Sequence, residues 1–565
     1  MLKSEFTNCD DEYYIINNQL LRGPDWKGIF SEQVLGNYHP LTILSYAFNY
    51  AVSGLNPFSY FLVNYLFHIV NTLLVFYFIW NISGKNKFIA AFVALVFGVH
   101  PMHVESVAWV AERKDVLYTF FFLLSLIQYW RFLSDGKRSH FWICFIFFVL
   151  SLLSKPAAII LPLILLLLDY WKGRPITFKV IAEKIPFFLL SFLFGIITVK
   201  IQSPTAMAGL HVFTITDRLF FACYVLMIYF IRFFVPHPLS AFHPFPASGN
   251  LGWPVLISPL FVVAMMAILW FMRKNKVVVF GILFYVINLL LVLQIISIGL
   301  TIVSERYTYV PYIGLAFMVA MLVSRIKFVR RKAILAVAAI FIVGMGIISY
   351  QRTYVWRNSG TLWTDALKTY PTTPYARTNR ANYLSKLALR PDQKPFADSI
   401  YKVAFEDCAI ALSVKPNHAP AFEYRGLMYV DRQQFKEALA DANELIRLKP
   451  DSRIAYDIRA TCYYKFNEPA KALADYDKCV SLKPDDHRSY ANRGTILMNS
   501  FQKYNEALTE FNIAININPQ ANYLLNRSIC YYKMGNMQKA REDALLAGQR
   551  GAVITDNYKS LLQLK

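Results

Sequence analysis

Long apolar runs with short polar links between them occupy the chain up to about Tyr350. Most runs are about 16 to 24 residues long, which is the length that a helix needs to cross a hydrocarbon layer of ~30 Å, and runs of about 13 to 15 residues need their flanking residues to span it. Hydrophobic residues make up 56% of the 565 positions, which is too many for one soluble domain. The sequence therefore predicts an all-α chain whose larger part is a polytopic transmembrane helical domain.

Basic residues are concentrated in alternate links between the apolar segments. The segments are 58–80, 88–100, 115–132, 141–154, 156–170, 185–201, 218–235, 253–272, 277–299, 308–324 and 333–350. The basic residues that follow alternate segments are Lys85, Lys87, Arg131, Lys137, Arg138, Lys172, Arg174, Lys179, Arg273, Lys274, Lys276, Arg325, Lys327, Arg330, Arg331 and Lys332. By the positive-inside rule these links are cytoplasmic. The net charge of +22 therefore reflects the topology of the chain in the membrane and does not indicate nucleic-acid binding. The other links then lie outside, and segments 41–52 and 218–235 are expected in the outer interface.

The densest group of ionisable residues lies between Phe97 and Leu117, in the sequence FGVHPMHVESVAWVAERKDVL. Ionisable side chains at membrane depth are expensive unless they pair or line a wet cavity, so this link is a candidate site. A solvated connecting loop is the alternative. We favour a site, because three other links carry the same mixture on the same predicted face.

Acids and bases that face one compartment suit the transfer of a sugar from a lipid phosphate. Such a transfer needs a carboxylate to take the proton of the acceptor hydroxyl, and cations to hold the departing phosphate. The candidate catalytic carboxylates are Asp10, Asp11 and Glu105, and the candidate phosphate ligands are Arg113, Lys114, Lys155 and Arg306. Further candidates at the site are His39, His100, His103 and Glu305. For the acidic pair near the N-terminus, simple exposure to solvent is the alternative.

Metal-ligand spacing is weak in this sequence. No third ligand accompanies His100-x-x-His103, and the seven cysteines lack CxxC spacing, so neither a structural metal nor a disulfide framework is predicted. A divalent ion at Asp10 and Asp11 is left open, and no cofactor is assigned.

Six motifs in order resemble a known family. They are Asp10-Asp11 with Tyr14-Ile15-Ile16-Asn17-Asn18, YHPLTILSY from Tyr38, VNYLFHIVN from Val63, VHPMHVESVAWVAERKDVL from Val99, SKPAAIILPLILLLLDYW from Ser154 and SERYTYVPYIG from Ser304. Together with the C-terminal repeats described next, they resemble the transmembrane and tetratricopeptide-repeat O-mannosyltransferases and their bacterial relatives, which are C-type glycosyltransferases. The resemblance implies a polyprenyl-phosphate sugar donor, transfer on the outer face, and an acidic motif near the active centre at Asp10 and Asp11. It also implies a hydrophobic helix before that pair, which we expect either upstream of Met1 or lost.

Prolines mark a repeat in the polar part of the chain. Lys415-Pro416, Lys449-Pro450, Lys483-Pro484 and Asn518-Pro519 follow one another at 34, 34 and 35 residues, which is the tetratricopeptide period. We expect about five repeats between residues 374 and 554, stacked into a superhelix that binds peptides or proteins. Asn382, Asn492 and Asn526, near the starts of first helices, are candidates for gripping a peptide backbone, and polar residues facing solvent are the alternative.

These patterns divide the chain into an outer first loop (1–57), a membrane domain (58–350), a connector with a partial repeat (351–373), the repeats (374–554) and a tail (555–565). The favoured function is a membrane glycosyltransferase whose repeats recruit a protein acceptor. A glycan polymerase or ligase and a non-catalytic scaffold are the alternatives. We expect a bacterial inner membrane with periplasmic repeats, or lumenal repeats in the endoplasmic reticulum of a eukaryote. The expected partners are the bilayer, the lipid-linked sugar and the acceptor, without nucleic acid.

Overall fold

The computed structural model describes residues 4–23, 25–201, 212–246, 249–296, 299–326 and 328–564. The predicted cytoplasmic residue Lys327 lies outside the described residues, as do residues 1–3 of the first loop and residue 565 of the tail. The chain divides into two compact units, Met1–Pro371 and Thr372–Lys565.

The first unit is built almost entirely of helices. Its α-helices are Trp26–Ser31, Pro40–Ser53, Pro57–Ile82, Lys87–Val99, Val104–Ala108, Arg113–Asp135, Arg138–Ser154, Leu161–Lys172, Phe178–Ala182, Ile185–Ile201, Ile215–Phe234, Trp253–Phe271, Lys276–Leu289, Pro311–Ser324, Phe328–Val355 and Ser359–Thr369. Its short 3-10 and π turns are Glu12–Ile16, Gln19–Leu21, Pro101–His103, Val110–Glu112, Pro156–Ile160, Leu290–Val292 and Glu305–Thr308. Two short strands, His243–Pro244 and Thr301–Val303, pair antiparallel.

Among the described residues, four helices are long and apolar enough to cross a membrane. They are Pro57–Ile82, Val110–Asp135, Trp253–Phe271 and Leu335–Val355, and a helix pair bent by 56° between Val99 and Pro101 is a fifth candidate. Shorter apolar helices are Arg138–Ser154, Ile185–Ile201, Lys276–Val292 and Pro311–Ser324. The predicted fold class, an all-α polytopic membrane domain followed by helical repeats, is confirmed.

The bend at Pro101 begins a stretch in which the long helices of the bundle are interrupted by short 3-10 and α-helical turns, and we call this stretch the break (residues 100–112). Proline cannot donate a backbone hydrogen bond, and backbone groups freed in an apolar layer need other partners. Two buried polar residues of Pro57–Ile82 supply some of them, and a third binds the first turn of the helix that follows the break. Asn64 Nδ2 donates to the carbonyl of Trp109 at 3.4 Å, His68 Nε2 lies 3.0 Å from the carbonyl of Gly98, and Asn71 Nδ2 donates to the carbonyl of Val116 at 2.8 Å.

The segment 218–235, expected in the outer interface, forms the helix Ile215–Phe234. One stripe of this helix is buried, and it includes Phe221, Val225 and Tyr229. The hydroxyl of Tyr229 donates to the carbonyl of Ser304 at 2.9 Å, while the Ser304 amide donates back to it at 2.8 Å. The helix therefore packs inside the bundle along this stripe, and its position relative to a bilayer stays a prediction.

The second unit is a stack of helix pairs. The pairs are Pro374–Ala388 with Ala397–Val414, Ala419–Asp431 with Phe435–Leu448, Arg453–Lys465 with Pro469–Leu482, His487–Ser500 with Tyr504–Ile517, and Ala521–Lys533 with Met537–Gln549. A last helix, Asp556–Leu561, follows them. Fully buried alanines such as Ala438, Ala472, Ala507 and Ala540 stand at the same place in successive second helices, where a small side chain allows the two helices of a pair to approach.

An arginine in each of the last four first helices forms an ion pair within its own repeat. Arg459 binds Asp475, 16 residues later, through two hydrogen bonds of 2.8 Å, and its third nitrogen donates to Asn443 of the preceding repeat at 3.2 Å. Arg425 with Asp441 and Arg527 with Asp543 repeat the bidentate pair. Arg493 instead pairs with Glu510 at 3.3 Å and with Asp477 of the preceding repeat at 3.1 Å. We call this series the arginine ladder.

Close packing between Lys276–Leu289 and Pro311–Ser324 depends on two glycines. A Cβ atom at Gly314 would lie 2.8 Å from Phe284 Cβ and 2.9 Å from the carbonyl oxygen of Gly281. We predict that Gly314→Ala lowers the stability of the detergent-solubilised protein by about 1 to 3 kcal/mol, because the helices must separate to admit the methyl group. Gly344→Ala is the matched control, since nothing lies within 4 Å of a Cβ there. Equal melting temperatures for the two variants would contradict the prediction.

Candidate active site

Asp11 anchors the N-terminal segment to the break. Its carboxylate is fully buried and accepts hydrogen bonds from the amide and hydroxyl of Thr7, at 2.8 and 3.0 Å, and from the amide of Ala111 at 2.8 Å. Both carboxylate oxygens are therefore used by the fold. Burial raises the pKa of Asp11 to about 7, although the three donors act in the opposite direction.

Asp10 has a different environment from its neighbour. It is partly buried, and within the described part of the chain no hydrogen bond or ion pair engages its carboxylate. Burial raises its pKa, the positive charge of Lys114 opposes that shift, and Glu112 adds to it. Of the two acids, Asp10 is the one whose oxygens are available to another molecule.

Three cations converge on Glu112. Lys114 Nζ lies 3.1 Å from Glu112 Oε1, Arg306 Nε lies 3.3 Å from the same oxygen, and Lys155 Nζ lies 3.6 Å from Oε2. Two further carboxylates complete the group, since Asp115 pairs with Lys155 and Glu105 pairs with Arg306. We call these six residues the charge cluster.

Aromatic rings form one wall of the charge cluster. The guanidinium of Arg306 lies 5.2 Å from the centre of the Trp109 ring and 4.9 Å from that of Tyr307, and Lys114 Nζ lies 4.8 Å from the Tyr14 ring. Such contacts are stronger where water is excluded. They hold the cations in place without consuming their hydrogen-bond donors.

Several polar atoms of the charge cluster are buried without a hydrogen-bond partner. Glu112 Oε2 and Arg306 Nε take part in ion pairs but in no hydrogen bond, and Nδ1 of the neighbouring His39 is a third such atom without a hydrogen bond. The only hydrogen bond of Arg306 Nη2 within the described residues is a long one of 3.5 Å to the hydroxyl of Tyr307. Buried polar atoms are normally satisfied, so unused donors and acceptors at one place indicate a site for a polar ligand.

His39 occupies the N-cap position of the helix Pro40–Ser53 and is buried beside the charge cluster. Burial lowers the pKa of His39 well below its usual range, and the nearby positive charges of Lys114 and Lys155 lower it further. The imidazole is therefore neutral at physiological pH and adds no positive charge to the site.

Arg113 is not brought into the charge cluster. It is completely buried on the other side of its helix, where it donates to Asn64 Oδ1 at 2.8 Å, to the Tyr60 carbonyl at 3.0 Å and to Asn49 Oδ1. All of these acceptors are neutral groups of the bundle. Its predicted contact with phosphate stays a prediction, and the contacts described favour a role in holding the helices together.

His100 and His103 form hydrogen bonds with backbone carbonyl groups. His100 Nε2 lies 3.1 Å from the carbonyl of Phe233, and His103 Nδ1 lies 2.8 Å from that of Phe97. Glu305 is likewise engaged, because two nitrogens of Arg352 bind its carboxylate at 2.9 and 3.2 Å. These three predicted site residues therefore support the elements that carry the charge cluster.

The repeat asparagines lie in the second unit. Asn492 donates to the hydroxyl of Tyr476 at 3.1 Å, Asn526 is partly buried, and Asn382 is only 8% exposed. Asn492 and Asn526 each precede an arginine of the arginine ladder. In the first repeat that place belongs to Asn379, before Arg380, and sequence comparison of the repeats could have found it.

Sequence reasoning also left Glu112 and Asp115 out of the candidate residues, although both stand in the ionisable stretch. Their positions in AERKD, flanking Arg113 and Lys114, are the signal that could have identified them. The described residues contain no group of three or more His, Cys, Asp or Glu side chains that could hold a metal. Both oxygens of Asp11 already accept hydrogen bonds from the protein, whereas among the described residues those of Asp10 do not.

Comparison with known proteins gives a matching family model and several curated relatives. A family model described as "Tetratricopeptide repeat" matches residues 455–486. Protein O-mannosyl-transferase TMTC1 of Homo sapiens is 36% identical over 147 residues, which are 24% of this chain and 17% of that protein. TMTC2 of Mus musculus is 37% identical over 139 residues, covering 23% and 16%. The resemblance to protein O-mannosyl-transferases is confirmed.

The matched segment covers less than a fifth of each of these protein O-mannosyl-transferases. Among solved structures, that of YrrB, "a TPR protein with an unusual peptide-binding site", is similar with 22% identity and a TM-score of 0.27, covering 36% of this chain and 95% of that one. The helix pairs of the second unit are seen directly and do not rest on that likeness.

The buried position of Asp11 predicts a pH dependence of stability. The pKa of about 7 is above the ordinary value of 3.8, so the folded state holds the proton more tightly than the unfolded state. Protonated Asp11 therefore makes its full contribution to the free energy of unfolding below about pH 4, and this contribution is lost as the pH rises through about 7. We predict that the melting temperature of the parent falls relative to that of Asp11→Asn between pH 4 and pH 8. A difference that does not change with pH would refute the assignment.

Proposed function

We propose that this protein is a glycosyltransferase that moves a sugar, mannose by analogy with its relatives, from a polyprenyl-phosphate donor to a hydroxyl group of a protein. The observation that carries the proposal is the unengaged carboxylate of Asp10 beside the charge cluster. A carboxylate without a partner and cations with unused donors are the two parts that such a transfer needs.

In the proposed reaction the acceptor oxygen attacks the anomeric carbon of the donor from the side opposite the phosphate. The new carbon–oxygen bond forms as the bond to the phosphate oxygen breaks, and the phosphate leaves with the electron pair. Asp10 takes the proton of the acceptor hydroxyl. Burial raises the pKa of Asp10, which makes its carboxylate a stronger base than an exposed one. The configuration at the sugar carbon is inverted.

The departing phosphate is held by Arg306, Lys114 and Lys155. Arg306 Nη2 and the remaining N–H groups of Lys114 are the donors that the ion pairs with Glu112 and Glu105 leave available. The carboxylates of the charge cluster keep these cations in place before the donor arrives. Such preorganisation lets them stabilise the charge that develops on the leaving phosphate.

The helix pairs of the second unit are proposed to recruit the protein acceptor, and the side of the membrane is proposed to be the one opposite the basic links. A non-catalytic scaffold is the competing function. The two differ in one respect that is easy to measure, because a scaffold does not depend on the Asp10 carboxylate.

Asp10→Asn is predicted to lower the transfer rate by about 10² to 10⁴, since the amide cannot accept the proton of the attacking hydroxyl. The measurement is the amount of label transferred to protein in membranes that are supplied with radiolabelled polyprenyl-phosphate mannose. Glu32→Gln, which removes an exposed carboxylate from the same N-terminal segment, is the matched control and should transfer at the parental rate. Parental transfer by Asp10→Asn would favour the scaffold.

Arg306→Gln is predicted to raise the KM for the lipid-linked donor by about tenfold or more, because charge-assisted hydrogen bonds to phosphate contribute about 1.5 to 3 kcal/mol. Lys137→Gln, an exposed lysine of a predicted cytoplasmic link, is the matched control. If Arg306→Gln, Lys114→Gln and Lys155→Gln all keep the parental donor KM, the charge cluster is not the phosphate site.

A further inference from the structure

The helix after the last candidate span contacts the N-terminal segment two residues before Asp10. We call this helix, Ser359–Thr369, the connector helix. The amide of Asn8 donates to Ser359 Oγ at 2.8 Å, and the indole N–H of Trp363 donates to Asn8 Oδ1 at 2.7 Å. Asn8 is therefore held through both its backbone and its side chain, by two residues on one face of the connector helix.

The connector helix is itself fixed within the first unit. Asn358 and Thr361 form a capping box at its start, and Leu362, Trp363 and Ala366 bury one face. A cap and a buried face of this kind define the position of a short helix that would be marginal by itself. Asn8 is consequently attached to a rigid element.

Arg352 at the end of the last span and Trp356 just after it contribute two further contacts. Trp356 stacks on Trp109 with ring centres 5.5 Å apart, and Trp109 lies under the guanidinium of Arg306. Arg352 binds Glu305, the residue before Arg306, and also Asp365 of the connector helix. These residues contact the neighbours of the candidate catalytic groups, and in this way they fix where those groups lie.

We propose that the connector helix positions the Asp10 carboxylate for proton transfer by holding Asn8 between Ser359 and Trp363. This inference rests on the proposed function of Asp10. Since Ser359 and Trp363 bind Asn8 and not the proposed phosphate ligands, these two hydrogen bonds act on the rate of the chemical step and not on the binding of the donor. Loss of either hydrogen bond lets the segment that carries Asp10 open locally.

Cys9 reports such opening without any measurement of activity. It lies between Asn8 and Asp10 and is partly buried, while Cys144, Cys408, Cys462, Cys479 and Cys530 are buried. Burial raises the pKa of the Cys9 thiol well above its usual range, so its alkylation is slow while the segment is closed. Peptide mapping after treatment with a maleimide separates Cys9 from the other partly buried cysteine, Cys223.

The test compares Ser359→Ala and Trp363→Phe in the full-length protein. Each removes one hydrogen bond, so each should lower kcat by about 2- to 10-fold and raise the alkylation rate of Cys9 by a similar factor, with the KM for polyprenyl-phosphate mannose unchanged. Ser413→Ala makes the same chemical change at an exposed position of a repeat, and Lys368→Ala removes an exposed side chain from the connector helix. Both controls should match the parent.

The proposal fails if Cys9 is alkylated at the parental rate in both Ser359→Ala and Trp363→Phe. It also fails if these variants raise the donor KM at unchanged kcat, or if kcat falls without faster alkylation. Parental transfer by Asp10→Asn would instead remove the catalytic role of Asp10, and the alkylation of Cys9 would still show whether the connector helix holds the segment.

Discussion

The need to satisfy backbone groups freed at the break governs the first unit. A helix that stops at Pro101 inside an apolar bundle leaves carbonyl and amide groups that lipid cannot satisfy. Asn64 and His68 bind carbonyls in the break and in the turn before it, and Asp11 accepts a hydrogen bond from the amide of Ala111. The contact that satisfies Ala111 is also the contact that brings Asp10 to the charge cluster. Stability of the fold and placement of a reactive carboxylate therefore have a common origin.

Charge balance explains how so many ionisable groups can be buried together. Glu105, Glu112 and Asp115 offset Lys114, Lys155 and Arg306, and each cation lies within 4 Å of at least one carboxylate. A buried charge without a partner would be far more costly than a paired one. Asp10 is the additional acid beside this balanced set, which is why its environment differs from that of the six others.

Sequence reasoning predicted the apolar helices, the repeats and the motifs of the site, because these depend on length, period and order. It could not assign different environments to adjacent residues. Asp10 and Asp11 separate into an unengaged and a fully hydrogen-bonded acid, and Arg113 and Lys114 point to different partners. One step along a helix turns the side chain by about 100°, so neighbours in sequence are not neighbours in space. Trp363 and Asn8 are 355 residues apart in the sequence, so the hydrogen bond between them leaves no local sequence pattern.

The arginine ladder makes the junctions between successive repeats chemically alike. Arg459, Arg493 and Arg527 each bind an acid of their own repeat and a polar side chain of the repeat before. Gain or loss of one whole repeat would therefore leave an arginine of this kind with a partner in its own repeat and a partner in the repeat before it. In evolutionary terms the length of the stack can vary by duplication or deletion of a module of about 34 residues, and the partly buried ion pairs favour changes that come in whole modules.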